Sequence, residues 1–185
     1  MVKKDNPKWM VASDIHGSEY YCKKLLEAFE RERADQLVLL GDLLYHGPRN
    51  DLPKDYAPKK VMELLNGISD RLLCVRGNCE AEVDQMVLNF PVMAEYAVFY
   101  IGNTMYFATH GHKFNPDTPP NLKEGDVLLC GHTHVVADRR EKAIGPSGEY
   151  HYTYLNPGSV SIPKENTPRG YYILNGEGHY FVTLE

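Results

Sequence analysis

Two kinds of apolar pattern divide the chain near residue 95. In the first part, short continuous apolar runs alternate with segments whose apolar residues recur at helical spacing. The runs predict strands at 8–13, 36–40 and 72–75, and the periodic segments predict helices over 18–33, 57–68 and near 80–88. Because a helix that joins two strands of one sheet makes those strands parallel, this part predicts a parallel βαβαβ unit.

The remainder of the chain is rich in strand patterns. They lie at 95–101, 104–109, 126–130, 135–139, 150–155, 170–174 and 179–184, with hairpin turns at Gly102-Asn103 and 176–178. We expect this part to add mainly antiparallel strands. Together the two parts predict an α/β fold in which two mixed β-sheets pack as a sandwich with flanking helices.

Length and composition narrow the class of protein. The 185 residues, of which 43% are hydrophobic and 24% charged, suit one globular domain over 1–185. The net charge of −5 argues against stable binding of nucleic acid by a basic surface. The longest apolar runs, about six residues, are too short for a membrane span of ~20, and MVKKDNPKWM lacks an apolar leader, so we expect a cytoplasmic protein.

Polar residues that can bind metals follow five of the apolar runs, each beside a glycine. Since ligands bind at the carboxyl ends of strands in open α/β sheets, we expect these residues to converge on one rim of one sheet. The Asp-x-His and His-x-His spacings suit a strand end, where residues i and i+2 face the same side. The residues are Asp14, His16, Asp42, Asn78, His110, His132 and His134.

This set combines carboxylate and amide oxygens with four imidazoles. The mixture suits Mn, Fe, Ni or Zn, and it is too rich in nitrogen for a dedicated Ca or Mg cage. Any one of these residues alone is more often a helix cap, a turn residue or an ordinary histidine. The complete set, in this order and at strand ends, predicts a metal centre.

The same motifs resemble those of the calcineurin-like metallophosphoesterases, and within them the small bacterial YfcE-type phosphodiesterases. The resemblance spans about residues 9 to 174 and includes SDIHGS, LGDLLYHGPRN, VRGNCEAEVDQM, THGH and NPGSVSIPK. It implies the metallophosphoesterase fold and two divalent metal ions, Mn being favoured and Ni, Fe, Zn or Mg being alternatives. The implied ligands are Asp14, His16 and His134 for one ion and Asn78, His110 and His132 for the other, with Asp42 bridging both.

The resemblance also implies an activity, that of a metal-dependent phosphoric ester hydrolase, with a phosphodiesterase favoured. In such enzymes a hydroxide that bridges the two ions attacks phosphorus, so Asp42 and Asn78 serve catalysis as well as metal binding. His46 and Arg49, in the insert at 43–56, are predicted to contact a small phosphate-ester substrate. For Arg49, a salt bridge on the loop surface is an equally open interpretation. The family's tendency to associate leaves a homo-oligomer open.

Cys79 departs from the wider superfamily, in which many members have a histidine after the Gly-Asn pair; the YfcE-type members usually have cysteine there too. A thiol is a weak donor, which leads to the hypothesis that the enzyme favours diesters with good leaving groups. His112 is predicted to support a metal ligand or to face the substrate. Asn156 and Ser159, in NPGS, either approach the metal cleft or form a plain turn.

Two other functions remain open at this point. One is a non-catalytic scaffold that keeps the fold, but the presence of all seven expected ligands disfavours it. The other is a phosphomonoesterase, which uses the same ligands and which sequence cannot separate from a diesterase.

Overall fold

The strand and helix patterns predicted from the sequence appear at nearly the predicted positions. The computed structural model describes residues 7–146 and 148–184. The sequence predicts no apolar leader in the first ten residues. Of these, residues 1–6 lie outside the described residues. The elements are β1 Trp9–Ala12, α1 Glu19–Glu32, β2 Gln36–Leu39, α2 Pro58–Asn66, β3 Leu72–Cys74, α3 Glu82–Val87, β4 Tyr96–Ile101, β5 Thr104–Thr109, β6 Val127–Leu129, β7 Val136–Gly145, β8 Gly148–Pro157, β9 Gly170–Asn175 and β10 Gly178–Thr183. A single 3₁₀ turn at Ser69–Arg71, which the sequence did not indicate, leads into β3.

The first sheet has the strand order β10-β9-β1-β2-β3. Its central strands pair in parallel, with Val11 opposite Val38 and Leu39 opposite Cys74, which confirms the predicted βαβαβ unit. Strands β9 and β10 extend the sheet in the antiparallel sense. The carboxyl ends of β1, β2 and β3 therefore meet at one edge.

The second sheet has the order β4-β5-β6-β8-β7, and it is less antiparallel than predicted. Both β5–β6 and β6–β8 pair in parallel, because the long segment at 110–126 and the excursion through β7 return the chain to the start of the sheet. The β7–β8 hairpin is also longer than expected. Its outer half is largely exposed and polar, so no apolar alternation marked it in the sequence.

Two apolar layers hold the sandwich together, and alternation along each strand separates them. Between the sheets, Val11 and Val38 pack against Leu129 and Leu155. On the outer side of the first sheet, the buried faces of α1 and α2 cover the alternate strand residues, such as Met10. The outer side of the second sheet carries a smaller cluster that includes Leu122 and packs against Phe114, both from the loop at 112–124. Helices α1 and α2 thus flank the first sheet.

None of the helices in the described segments combines the length and apolar content needed to cross a membrane.

Candidate metal-binding active site

The seven predicted metal ligands come together, but at an edge shared by two sheets. Asp14 and His16 follow β1, Asp42 follows β2, and Asn78 follows β3, all in the first sheet. The other three follow β5 and β6 of the second sheet: His110, His132 and His134. The expectation of one rim of one sheet was therefore wrong. The sandwich aligns the carboxyl ends of both groups of parallel strands. Hydrogen bonds such as that from His132 N to Asp14 Oδ2, at 3.0 Å, join the two sheets at this edge.

The backbone at five of these seven residues is left-handed rather than extended. The φ angles are 59° at Asp14, 49° at His16, 56° at Asp42, 66° at His132 and 61° at His134. The predicted i, i+2 alternation of an extended strand was therefore the wrong explanation for the Asp-x-His and His-x-His spacings. Each such residue costs roughly 1–3 kcal/mol, and such strain persists only where the surroundings enforce it. Here they do, through bonds such as Asp14 N to Gly41 O and His16 N to Asp42 O.

Two glycines allow the loops to stack closely. A Cβ added at Gly77 would lie 2.1 Å from Asp42 Oδ1, and one at Gly131 would lie 2.0 Å from Ser13 Oγ. Any larger residue would push these two loops off the carboxylates. The glycines beside the ligands thus serve close packing of the ligand loops.

One group of ligand atoms surrounds the Asp14 carboxylate. The ligand atoms of Asp14, His16 and His134 all lie within 4.8 Å of one another. His134 Nε2 is 3.1 Å from Asp14 Oδ1 and 3.1 Å from His16 Nε2. His16 Nδ1 lies 2.7 Å from Tyr45 O, and His134 Nδ1 lies 2.8 Å from Ile162 O. A carbonyl can only accept a hydrogen bond, so each Nδ1 carries a proton, and Nε2 is the atom of each ring that could bind a metal.

A second group lies on the other side of Asp42. His110 Nε2 is 3.0 Å from Asn78 Oδ1, while its Nδ1 donates to Leu40 O at 2.6 Å. The His132 ring lies next to it, with ring centroids 5.1 Å apart. Asp42 Oδ2 is 3.7 Å from His16 Nε2 and 3.5 Å from His110 Nε2. Asp42 therefore lies between the two groups, as a bridging carboxylate must.

The electrostatics of the site favour positive charge at its centre. Burial raises the pKa of Asp14, but the His134 and His16 rings outweigh this and hold that pKa well below its ordinary value. Burial lowers the pKa of His16, yet the Asp14 carboxylate raises it above its usual range. At His132, burial and the neighbouring His110 lower the pKa, which keeps that ring neutral and able to donate its lone pair to a metal.

These donors fit a bound metal cation. Asp14 Oδ1 is fully buried and accepts no hydrogen bond of good geometry from any described residue, although His134 Nε2 is close to it. A buried carboxylate oxygen needs positive charge or a hydrogen-bond donor beside it, and a metal cation that the two imidazoles also bind meets this need. A divalent ion satisfies all three atoms at once, and the oxygen and nitrogen donor set suits a transition metal.

A cavity of about 410 Å³ opens onto these groups. Arg49 and Cys79 line it, as predicted, and so does Lys164, which was not among the predicted site residues. His46 is not among the lining residues; its ring packs edge-on against Tyr45 and Tyr56. Its predicted contact with substrate stays a prediction.

His112 does not line the cavity either. Its ring lies 5.4 Å from that of His110 and 6.2 Å from that of His132, between centroids. Burial and these two rings lower the pKa of His112, so it stays neutral. This position suits the predicted support of a ligand better than contact with the substrate.

Three supporting residues hold the site from behind. Asn156 donates to Gly131 O at 2.7 Å, and Ser159 donates to Asp14 O at 2.7 Å, so the NPGS segment does reach the ligand loops. Glu80, which sequence reasoning missed, accepts hydrogen bonds from the backbone N–H groups of Asp42, Leu43 and Gly77 at 2.8, 2.7 and 2.5 Å. Its position two residues after Asn78 was the only signal available.

Comparison with known proteins agrees with this geometry. Residues 8–178 match the sequence model of the calcineurin-like phosphoesterase superfamily domain. Phosphodiesterase YfcE of Escherichia coli K12 is 47% identical over 171 residues, which cover 92% of this chain and 88% of the relative.

Solved structures give the same result. The structure described as that of Yfce, a phosphoesterase from E. coli, superposes with a TM-score of 0.84 at 41% identity, over 96% of this chain and 100% of the other. A metallophosphoesterase from Sphaerobacter thermophilus shares the fold, with a TM-score of 0.60 at 18% identity over 97% of this chain and 88% of its own.

Replacing Glu80 tests its support of the Asp42 loop. In Glu80→Gln an amide N–H₂ faces a backbone N–H donor, and at least one buried hydrogen bond is lost. We expect a loss of about 2 kcal/mol in the free energy of unfolding, measured by urea denaturation with a chelator present. Glu82→Gln, on the exposed side of α3, is the matched control and should change stability by less than about 0.5 kcal/mol. Equal midpoints for the two variants would contradict the supporting role of Glu80.

Proposed function

The chain belongs to the calcineurin-like phosphoesterase superfamily, and we propose that within it the protein is a metal-dependent phosphodiesterase acting on small phosphate esters. The observation that carries this proposal is the convergence of Asp14, His16 and His134 on one point, with Asp42 placed between them and His110. The high identity to a named phosphodiesterase supports the choice of diester.

We propose two ions, with manganese favoured. The first would be held by Asp14, His16 and His134, and the second by Asn78, His110 and His132, with Asp42 shared. Asp42 contributes to both because its Oδ2 lies at similar distances from His16 and His110. Asn78 adds a neutral oxygen, which keeps the negative charge of the site at two carboxylates.

When bound, such ions supply an activated water and positive charge for the phosphoryl oxygens. The protein supplies position: the left-handed ligand loops and Glu80 fix the Asp42 carboxylate, and Cys79 N donates to its Oδ1 at 2.9 Å. At the cavity wall, the Arg49 guanidinium binds a phosphoryl oxygen with its planar N–H groups. These groups are in place before the substrate arrives, so little reorganisation accompanies the reaction.

The leaving group receives little help from Cys79. Burial and the Asp42 carboxylate raise the pKa of this thiol, so it stays neutral near pH 7. A neutral thiol is a weak hydrogen-bond donor and cannot protonate an alkoxide efficiently. The enzyme therefore favours esters whose leaving group departs without protonation.

Hydrolysis of bis(p-nitrophenyl) phosphate tests the proposed activity. After treatment with a chelator we expect no turnover, and added Mn should restore it, with a kcat/KM above that for p-nitrophenyl phosphate. No turnover with Mn, Ni, Zn or Mg would favour a non-catalytic scaffold. Faster turnover of the monoester would instead identify a phosphomonoesterase.

An Arg49→Ala variant tests the contact with the phosphoryl group. Loss of one charge-assisted hydrogen bond should raise KM about tenfold, and metal content by elemental analysis should be unchanged. Arg140→Ala, on the exposed part of β7, is the matched control and should keep wild-type kinetics. If Arg49→Ala also keeps them, Arg49 has no role in substrate binding.

A Cys79→His variant tests the missing acid. We expect kcat/KM for methyl phenyl phosphate to rise at least about tenfold relative to methyl p-nitrophenyl phosphate, because an imidazolium protonates the poorer leaving group. Cys79→Ser, whose hydroxyl is a still weaker acid than the thiol, should show no such gain. The absence of a gain in Cys79→His would reject the hypothesis that Cys79 limits the range of leaving groups.

A further inference from the structure

Two cations line the active-site cavity without acidic partners. Arg49 and Lys164 both reach its wall, and both are exposed. Across the described ranges 7–146 and 148–184, neither forms a salt bridge; Lys59 and Lys123 also lack one, but Arg49 and Lys164 are the two cations that line this cavity. Asp42 is the only carboxylate among the residues that line this cavity in those ranges. In a chain of net charge −5, a wall of this kind marks a place where negative charge binds.

Hydrogen bonds to His134 fix the backbone of Lys164 relative to the predicted metal ligands. Its backbone N–H donates to His134 O at 2.9 Å, and two residues earlier Ile162 O accepts the hydrogen bond from His134 Nδ1. Its own carbonyl accepts from the Thr167 hydroxyl at 2.9 Å. A shift of the Lys164 backbone would therefore disturb the His134 ring. The Cα and Cβ atoms of Lys164 are thus fixed relative to the site.

The turn after Lys164 is strained in a way that favours this placement. Glu165 and Asn166 both have left-handed backbones, with φ angles of 53° and 57°. Together with the hydrogen bond from Thr167 N to Lys164 O at 3.0 Å, they form a tight turn. Their effect is to reverse the chain directly after Lys164, which leaves the lysine on the cavity side.

The charges of the site exceed what one phosphodiester needs. Two divalent ions more than balance the carboxylates of Asp14 and Asp42, and Arg49 and Lys164 add two further positive charges. A diester phosphate carries a single negative charge. The cavity volume, about 410 Å³, is also that of a whole small-molecule ligand rather than of one phosphate group.

We infer that Lys164 is a substrate-binding residue and that the cavity selects phosphodiesters that carry a second anionic group, a phosphate or a carboxylate. This inference rests on the proposed function, since it concerns the part of the substrate that extends beyond the scissile phosphate. Arg49 binds the scissile phosphoryl group, and the Lys164 ammonium binds the second anion.

Two chromogenic substrates with the same leaving group test the inference: thymidine 5′-(p-nitrophenyl phosphate) and the same compound with a 3′-phosphate. With Mn present, we expect wild-type kcat/KM to be about tenfold higher for the 3′-phosphorylated compound, the worth of one charge-assisted contact. Lys164→Ala and Lys164→Gln should lower kcat/KM for both, and about tenfold more for the 3′-phosphorylated one. Lys164→Arg should keep the preference. The preference should also shrink with added salt, because the contact is exposed.

Binding of products gives a readout without turnover. By calorimetry, the Mn-loaded wild-type protein should bind thymidine 3′,5′-bisphosphate about tenfold more tightly than thymidine 5′-phosphate, and Lys164→Ala should lose this difference. Lys142→Ala, on the β7–β8 hairpin away from the cavity, is the matched control and should retain it.

The outcomes separate the two proposals. Hydrolysis of neither diester by the wild-type protein would overturn the proposed function. Hydrolysis of both with equal kcat/KM, or an equal loss for both in Lys164→Ala, would overturn the selection of a second anion and leave the phosphodiesterase activity standing.

Discussion

The convergence of one buried carboxylate and two imidazoles on a single point is the constraint on which this structure depends. Asp14 Oδ1 and the Nε2 atoms of His16 and His134 lie within 3.4 Å of one another, away from solvent. A buried carboxylate needs positive charge beside it, from a protonated imidazole or from a bound cation. The protein must also hold these atoms together, and much of its architecture near the site does so.

Backbone conformation and buried hydrogen bonds, rather than apolar contacts, hold these atoms together. Left-handed turns at five ligand residues aim the side chains inward, and Gly77 and Gly131 let adjacent loops stack at distances that no other residue permits. Glu80 collects three backbone N–H groups around the turn at Asp42. The apolar sandwich below is ordinary, and it contributes by bringing the ends of two groups of parallel strands to one edge.

The acidic net charge of the chain has little bearing on what the cavity attracts. Within the described residues, Arg49 and Lys164 line the cavity and form no salt bridge. With divalent ions bound to the ligands, the local field would be positive although the whole protein is negative. The placement of charge at the cavity matters more here than the net charge.

The sequence by itself determined the element order, the sandwich of two mixed sheets and the seven residues that gather at the site. It could do so because apolar periodicity records burial, and because a ligand set of this kind at strand ends is distinctive. It could not determine that His110 and His132 belong to the other sheet, since parallel pairing of β5, β6 and β8 depends on where long loops return the chain.

Nor could the sequence place Glu80 behind Asp42 or Lys164 at the cavity wall, because the residues that they contact, Asp42 and His134, are distant along the chain. It also misread the Asp-x-His spacing as strand alternation, because a left-handed turn and an extended strand can place the same residues at the same spacing. Only the tertiary structure decided these points, since backbone handedness and charge pairing depend on the three-dimensional surroundings of a residue and not on its type.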